Sequence, residues 1–355
     1  MDDSLTRRGH HPRLAAALAA TFLVTNTLAT LAHAGNQCFN EDALAAKPGE
    51  LKPAKGNHSF DRPAAARQLV DYTPVPPNLR GAIRRVKLPA GSRKLIALTF
   101  DLCEQPGEVA GYDGKIIDYL RAQGIKATLF AGGKWMRSHA MRVQQLLTDP
   151  LFEMANHSEA HRNLRLLSGA DLQEEILGPQ RAFEEARQLL GASQCVASAP
   201  EALARTPERM SLFRFPFGAC NVESLNAVND AGLLAIQWNL STGDPSPSQP
   251  ATAIARSMLA AKPGSILIAH ANGRGYHTAE ALPLAIPQLK AQGFEFVTIS
   301  ELLAAGTPEV VNSCYDVQPG DSDKYDKLFT LKISQPKRRE PKTDVPAAPD
   351  PALPR

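Results

Sequence analysis

The sequence predicts an α/β fold, a distorted (β/α)7 barrel with parallel strands and irregular N-terminal and C-terminal arms. Short apolar runs rich in β-branched residues recur between residues 95 and 299, and such runs are typical of strands buried on both faces. Amphipathic segments with the helical period separate most of these runs. Seven strand–helix units are one fewer than in the common eight-stranded barrel, and an open doubly wound sheet is the alternative.

Seven strands and six helices are predicted in alternation. The strands are Leu95–Phe100, Ala127–Ala131, Phe152–Asn156, Leu212–Pro216, Leu233–Trp238, Ile266–His270 and Phe294–Ile299. The helices are Lys115–Ala122, Met136–Leu147, Ala170–Leu190, Val222–Asn229, Ala251–Leu259 and Thr278–Ala291. Residues that follow the strands are therefore expected at one end of the barrel, where α/β barrels carry their active sites.

Composition divides the chain into four parts. Residues 1–34 are predicted to be a signal peptide, because arginines precede an apolar run that ends in the small-x-small pattern Ala32-His33-Ala34. An anchor helix is the alternative, but the run is interrupted and barely long enough to span a bilayer. Residues 35–91 are predicted to form an irregular proline-rich arm, 92–305 the folded domain, and 306–355 an extension with a disordered basic tail. We therefore expect an exported protein, periplasmic or secreted, without a stable membrane span.

Charge and cysteine usage narrow the possible partners. The formal net charge of +3 is too small to indicate nucleic acid as a partner. The five cysteines form no CxxC pair, which argues against a cysteine-based zinc site. Export would place them in an oxidising compartment. Cys38 with Cys314 is one conceivable disulfide, and Cys103 with Cys220 is either a second one or a pair of buried thiols. Nothing in the sequence indicates an oligomeric state.

Polar residues follow the ends of successive predicted strands. Two histidines four residues apart would share one face of a helix, which suits metal binding. Each residue alone has an ordinary structural interpretation, such as a helix cap or a buried imidazole. Their joint occurrence at successive strand ends indicates an active site, and the candidate residues are Asp101, His157, His161, Arg214, Asp244 and His270.

The order of these residues resembles the polysaccharide deacetylases with NodB homology, carbohydrate esterase family 4. Leu98-Thr99-Phe100-Asp101 resembles the first family motif, in a divergent branch that reads TFD-x-C. His157-Ser158-Glu159-Ala160-His161 fits the second motif, and Arg214-Phe215-Pro216-Phe217-Gly218 fits the third. Ile268-Ala269-His270 resembles the fifth. The resemblance covers residues 94–303 and implies a polysaccharide deacetylase domain within 92–305.

The resemblance also implies a reaction and a role for each residue. The expected enzyme is a metal-dependent hydrolase that removes acetyl groups, N-acetyl in preference to O-acetyl, from a cell-envelope or extracellular polysaccharide. The implied catalytic residues are Asp101 as base, Arg214 as its orienting partner, His270 as acid and Asp244 as the partner of His270. His157 and His161 are the implied metal ligands. Two histidines and a carboxylate suit zinc, and cobalt or nickel also fits such ligands.

Two positions depart from the family pattern. Leu102 stands where the family has a second aspartate that binds the metal. Asp113 is the candidate replacement ligand and Glu104 a second candidate, although Asp113 could equally cap the helix that follows it. Pro245 stands after Asp244 where a tryptophan is usual.

Two other functions compete with deacetylation. The first is hydrolysis of other non-peptide C–N bonds on the same fold. The second is a catalytically inactive sugar-binding module, against which Asp101, Arg214 and His270 argue, because a pure binder needs neither acid nor base. The expected partner is a polysaccharide or oligosaccharide whose identity the sequence does not reveal. The long segment 191–211 is a candidate groove wall or lid.

Overall fold

The structure, a computed structural model, describes residues 38–61 and 72–334, with side chains up to residue 328. The expected signal peptide at 1–34 and the basic tail from Pro336 lie outside these residues, so both expectations stay predictions. Among the described helices, none combines the length and apolar character needed to cross a membrane.

Twelve strands and twelve α-helices occur in the described residues. The strands are β1 (Ala54–Lys55), β2 (Ala82–Lys87), β3 (Lys94–Leu102), β4 (Glu108–Val109), β5 (Ala127–Ala131), β6 (Phe152–Asn156), β7 (Leu212–Phe213), β8 (Leu234–Ile236), β9 (Leu240–Ser241), β10 (Ile266–His270), β11 (Phe294–Phe296) and β12 (Thr307–Val311). The helices are α1 (Glu41–Leu44), α2 (Gly114–Gln123), α3 (Gly133–Ser138), α4 (Ala140–Leu147), α5 (Gly169–Gly191), α6 (Gln194–Ser198), α7 (Pro200–Ala204), α8 (Val222–Asp230), α9 (Ala251–Leu259), α10 (Thr278–Ala291), α11 (Ile299–Ala304) and α12 (Asp323–Ser334).

Most strands form one curled, largely parallel sheet. Its order is β12-β2-β8-β7-β6-β5-β3-β10-β9, and β11 adds a further parallel pairing with the start of β3. Only β12 runs antiparallel to its neighbour, β2. The sheet curls far enough for Arg85 in β2 to form a bridge with Ser265, the residue before β10. This confirms the predicted distorted (β/α) barrel rather than an open doubly wound sheet.

Strand β3 shows how the barrel sorts its side chains. Successive side chains of a strand point to opposite faces of the sheet, so every second residue lies in the same environment. Ile96, Leu98, Phe100 and Leu102 belong to the apolar layer beneath helices such as α2 and α10. The residues between them, from Leu95 to Asp101, face the barrel interior, and the last of these reaches the open end where the polar residues gather.

The sheet extends into both predicted arms. Strand β2, which lies in the predicted proline-rich arm, pairs with β8 and β12, and its residues Ala82, Ile83 and Val86 are fully buried. Strand β12 and helix α12 lie in the predicted C-terminal extension. Arg165 binds Asp323 and Asp326 of α12, so this part of the extension is ordered against the barrel.

The disulfides differ from the pairings considered from the sequence. Cys38 pairs with Cys195, and Cys220 pairs with Cys314. The suggested Cys38–Cys314 and Cys103–Cys220 bonds are therefore wrong. The first disulfide joins the N-terminal segment to the α6 region, and the second fastens the C-terminal extension beside the third motif. Cys103 stays a buried thiol.

Candidate active site

The two histidines of the second motif lie on a loop rather than on the expected helical face. His157 follows the last residue of β6, and both Ser158 (φ 65°) and His161 (φ 51°) adopt the left-handed conformation. A loop of this shape brings the two imidazole rings to within 5.0 Å of each other, measured between their centroids. The expectation that the two histidines share a helical face is therefore wrong, and their role as metal ligands stays a prediction.

Helix α5 holds this loop through a proline. Pro179 lies inside the helix and has no N–H, so the carbonyl of Glu175 four residues earlier has no helical donor. That carbonyl instead accepts the backbone N–H of Glu159 at 2.9 Å. The Glu175 carboxylate accepts the backbone N–H of Ala160 at 3.0 Å. The Glu175 carbonyl that Pro179 leaves without a helical donor thus helps to hold the histidine loop in place.

Both imidazoles present a buried nitrogen without a hydrogen-bond partner. Nδ1 of His157 donates to the carbonyl of Arg214 at 2.9 Å, which leaves Nε2 as the unprotonated nitrogen of the neutral ring. Nδ1 of His161 is also buried and unpartnered. Burial lowers the pKa of His157 and lowers that of His161 well below its usual range. Neutral imidazoles with free lone pairs are the form that binds metals.

A third potential ligand lies beside the histidines, and it is Cys103. Its Sγ and one nitrogen of each of His157 and His161 all lie within 4.8 Å of one another. Asn272 donates to the Cys103 sulfur at 3.1 Å and to its carbonyl at 2.9 Å. In the protein without metal, burial raises the pKa of the thiol to about 12. The unpartnered nitrogens and this sulfur are a donor set that fits a divalent metal ion.

The two carboxylates considered as third ligands are engaged elsewhere. Asp113 caps helix α2, with its carboxylate accepting the backbone N–H groups of Lys115 and Ile116. Glu104 forms a buried ion pair with Lys134 at 2.9 Å and accepts the backbone N–H of Ala110. Neither belongs to the cluster with the histidines. The expectation that Asp113 swings in as a ligand is therefore corrected, because its carboxylate is needed at the helix start.

Asp101 and Arg214 form a buried pair at the open end of the barrel. Nη1 of Arg214 donates to Asp101 Oδ1 at 2.8 Å, and the other oxygen, Oδ2, lies 3.2 Å from His157 Nε2. Burial alone would raise the pKa of Asp101, but the charges of His157, Arg214 and His270 outweigh burial and lower it. Burial favours neutral His157, so Arg214 is the lasting positive charge that keeps Asp101 ionised.

The Arg214 side chain is fixed from several directions. The same Nη1 also donates to Thr99 Oγ1 at 2.8 Å, and Nε donates to the carbonyl of Ile236 at 3.3 Å. The guanidinium stacks on Phe130 at 3.8 Å from the ring centroid. A planar, delocalised cation can make all these contacts at once, and the compact ammonium of a lysine cannot.

Asp244 and His270 form the second pair. Nδ1 of His270 lies 2.9 Å from Asp244 Oδ1, and the His270 backbone N–H donates to Asp244 Oδ2 at 2.7 Å. Thr278 donates to the same Oδ2. Burial would lower the pKa of His270, but Asp244 and the more distant Asp101 outweigh burial and the charge of Arg214, and raise it. The Asp244 carboxylate thereby favours the protonated form of His270, which lines the pocket.

One pocket of about 390 Å³ lies beside these groups. Asp101, Cys103, His161 and His270 contribute to its lining. Its aromatic walls are Phe217, Trp238 and Tyr325, with Asp316 bound to the Trp238 indole N–H at 3.0 Å. Segment 191–211, the candidate lid, supplies none of the described lining residues.

Several lining residues were not predicted as site residues from the sequence, among them Cys103, Asp316 and Tyr325. Asp316 and Tyr325 come from the C-terminal extension, for which the sequence indicated no role in the site. The cysteine of the extension, Cys314, was the available signal, because its disulfide with Cys220 brings the segment to the pocket.

Known proteins share this sequence pattern and this fold. A family model described as polysaccharide deacetylase matches residues 89–236. A peptidoglycan-N-acetylglucosamine deacetylase from Bacillus cereus is 27% identical over 60% of this chain and 89% of that protein. The peptidoglycan-N-acetylglucosamine deacetylase PgdA from Listeria monocytogenes is 28% identical over 61% of this chain, and the match spans only 41% of that longer protein.

The fold is shared with a solved structure of the same kind. The crystal structure of the Bc1960 peptidoglycan N-acetylglucosamine deacetylase superposes with a TM-score of 0.52 at 20% identity, covering 64% of this chain and 95% of that one. The matched family model, the relatives and the curled barrel agree with the motifs recognised in the sequence. The chain therefore carries a polysaccharide deacetylase domain matched over residues 89–236, and it is similar in sequence and in fold to hydrolases of carbohydrate esterase family 4.

Proposed function

We propose that the chain is a metal-dependent N-deacetylase of a cell-envelope polysaccharide. The observation that carries this proposal is the pairing of a buried base with an arginine and of a buried histidine with an aspartate. Asp101 of the first pair and His270 of the second line one pocket, which His161 also lines. Buried imidazole nitrogens of His157 and His161 have no hydrogen-bond partner. A sugar-binding module would need neither pair, whereas amide hydrolysis needs a base, an acid and an activating ion.

The metal ligands in this proposal include His157 and His161. A divalent ion there supplies Lewis-acid chemistry, acidifying water and polarising the acetyl carbonyl. Asp101 accepts the proton of the attacking water, and Arg214 holds Asp101 ionised and aimed at the pocket. Zinc, cobalt and nickel all suit imidazole ligands.

His270 protonates the leaving group. An amine cannot leave as an anion, so cleavage of an amide requires a proton donor more strictly than cleavage of an acetate ester, whose alkoxide leaves more readily. The Asp244 carboxylate on Nδ1 keeps that donor protonated. This requirement, together with the named N-acetylglucosamine relatives, favours N-acetyl over O-acetyl groups.

The pocket surface suits a sugar polymer. Three aromatic side chains, Phe217, Trp238 and Tyr325, border the catalytic residues, and flat apolar rings pack well against the faces of pyranose rings. The relatives named above act on peptidoglycan. Two disulfides are typical of exported proteins, so we also propose export, with residues 1–34 removed as a signal peptide.

Acetate release tests the function directly. The full chain is incubated with N-acetylated peptidoglycan, N-acetylated chitooligosaccharide and acetyl-xylan, each with and without a chelator. The proposal expects acetate from an N-acetylated polymer, abolished by the chelator and restored by zinc. Release from acetyl-xylan alone would contradict the N-acetyl assignment. Binding to these polymers without any acetate would instead support an inactive module.

A further inference from the structure

Resting on the metal-dependent function above, we propose that Cys103 is a metal ligand, so that one thiolate and two imidazoles hold the ion. Neither Asp113 nor Glu104 can take this role without giving up its structural contacts. The absence of a CxxC pair, which argued against a cysteine-based site, excludes multi-cysteine sites and leaves a single cysteine beside two histidines open.

The alternation of strand β3 places Cys103 on the correct face. Asp101 points into the pocket, and Leu102 is fully buried in the opposite, helix-covered layer. Cys103 directly follows the end of β3 and continues the alternation of the strand, so its side chain returns to the face of Asp101. Cys103 accordingly lines the pocket with Asp101. A leucine at 102 is compatible with metal binding when the ligand stands one position later.

The distances suit a metal with both kinds of ligand. In a tetrahedral zinc site with ordinary Zn–S and Zn–N bond lengths, ligand atoms lie roughly 3.3–3.6 Å apart. The Cys103, His157 and His161 atoms already lie within 4.8 Å of one another, so small side-chain rotations complete the site. On binding, the S–H bond breaks, the proton leaves to solvent and the sulfur electron pair forms the bond to the ion.

The neighbours of the three side chains support a preorganised metal site. His157 is 1% exposed, and its unpartnered Nε2 is kept free by the hydrogen bond on its other nitrogen. Asn272, itself fully buried, donates to the Cys103 sulfur. The other four cysteines are consumed by disulfides, so Cys103 is the remaining thiol. A thiolate ligand shifts the preference toward zinc or cobalt and away from magnesium or manganese.

Cobalt reports sulfur coordination through its colour. The full chain is stripped of metal and titrated with Co²⁺, and we expect one ion per chain with an intense near-ultraviolet band from sulfur-to-cobalt charge transfer. Disulfide sulfur gives no such band, so the signal belongs to Cys103. Cys103→Ala should lose the band and bind at least roughly 100-fold more weakly, because even loss of a supporting outer partner costs 10–100-fold.

Two further variants make the test specific. Cys103→Asp should bind cobalt without the band, since a carboxylate restores a ligand but no sulfur. Asp113→Asn keeps an oxygen for the helix cap and should retain both band and affinity. Wild-type protein that binds cobalt without the band, or Cys103→Ala with unchanged affinity, would overturn the assignment.

Acetate release separates this inference from the proposed function. Stoichiometric cobalt with the band but no acetate from any substrate would contradict only the function. Chelator-sensitive acetate release together with normal cobalt binding by Cys103→Ala would contradict only the ligand.

Discussion

Replacing Arg214 by methionine should destabilise the barrel, because it leaves the buried Asp101 carboxylate without its positively charged partner. Asp101 is 3% exposed and Arg214 is fully buried, with Nη1 2.8 Å from Asp101 Oδ1. Methionine fills most of the volume but supplies no charge. Removing one partner of a buried ion pair costs about 3–5 kcal/mol, so we expect a loss of this size in the free energy of unfolding.

Urea unfolding at fixed pH and zinc concentration measures the loss, and a second substitution isolates its cause. Adding Asp101→Asn to Arg214→Met removes the unpaired carboxylate and should recover part of the stability. Arg84→Met is the matched control, because Arg84 is also buried but donates to the neutral carbonyls of Tyr315 and Asp316. Asp101→Asn should not rescue that variant. A loss below about 1 kcal/mol for Arg214→Met, or equal rescue of both arginine variants, would refute the reasoning.

Two further substitutions test the acid and the histidine loop. Asp244→Asn removes the charge that raises the pKa of His270, so the alkaline limb of the kcat/KM profile should move to lower pH; an unmoved limb would exclude His270 as the acid. Gly133→Ala would place a Cβ 1.9 Å from Oε2 of Glu159 and should weaken zinc binding by displacing the loop. Gly191→Ala is the control: its Cβ meets nothing nearer than 3.3 Å, so zinc affinity should stay unchanged in the same titration. If Gly133→Ala bound zinc as tightly as Gly191→Ala, the proposed support of the histidine loop would be wrong.

The barrel was predictable where local pattern and burial coincide. The bounds of Ala127–Ala131 and Ile266–His270 match the structure, because a strand covered on both faces appears as an uninterrupted apolar run. Helix α2, predicted as Lys115–Ala122, ends at Gln123, and Gly124 after it takes the left-handed conformation that glycine adopts without strain.

The sheet edge was not predictable in this way. Strand β2 reads Ala-Ile-Arg-Arg-Val-Lys, in which charged residues interrupt the apolar pattern, and proline-rich sequence precedes it. Its place in the sheet depends on β8 and β12, which lie about 150 and 220 residues later in the chain. The order of the extension likewise depends on a distant partner, through the Cys220–Cys314 disulfide.

Motif recognition identified the paired residues of the site but not its third ligand candidate. Asp101 pairs with Arg214 and Asp244 pairs with His270, because each of the four lies at or just beyond the end of a parallel strand, and these strand ends share one edge of the barrel. Asp113 was attractive by residue type alone, and its capping role follows from where helix α2 begins. Cys103 becomes a candidate only when the facing of β3 is known.

Acetate release by Asp101→Asn, measured alongside its bound zinc, tests the central claim most directly. Asparagine keeps the size of the side chain but cannot accept the proton of the attacking water. The account predicts full zinc content and a native thermal transition, with turnover lower by roughly 10²–10⁴-fold, the usual contribution of a general base. Full zinc content with turnover within about tenfold of wild type would contradict it.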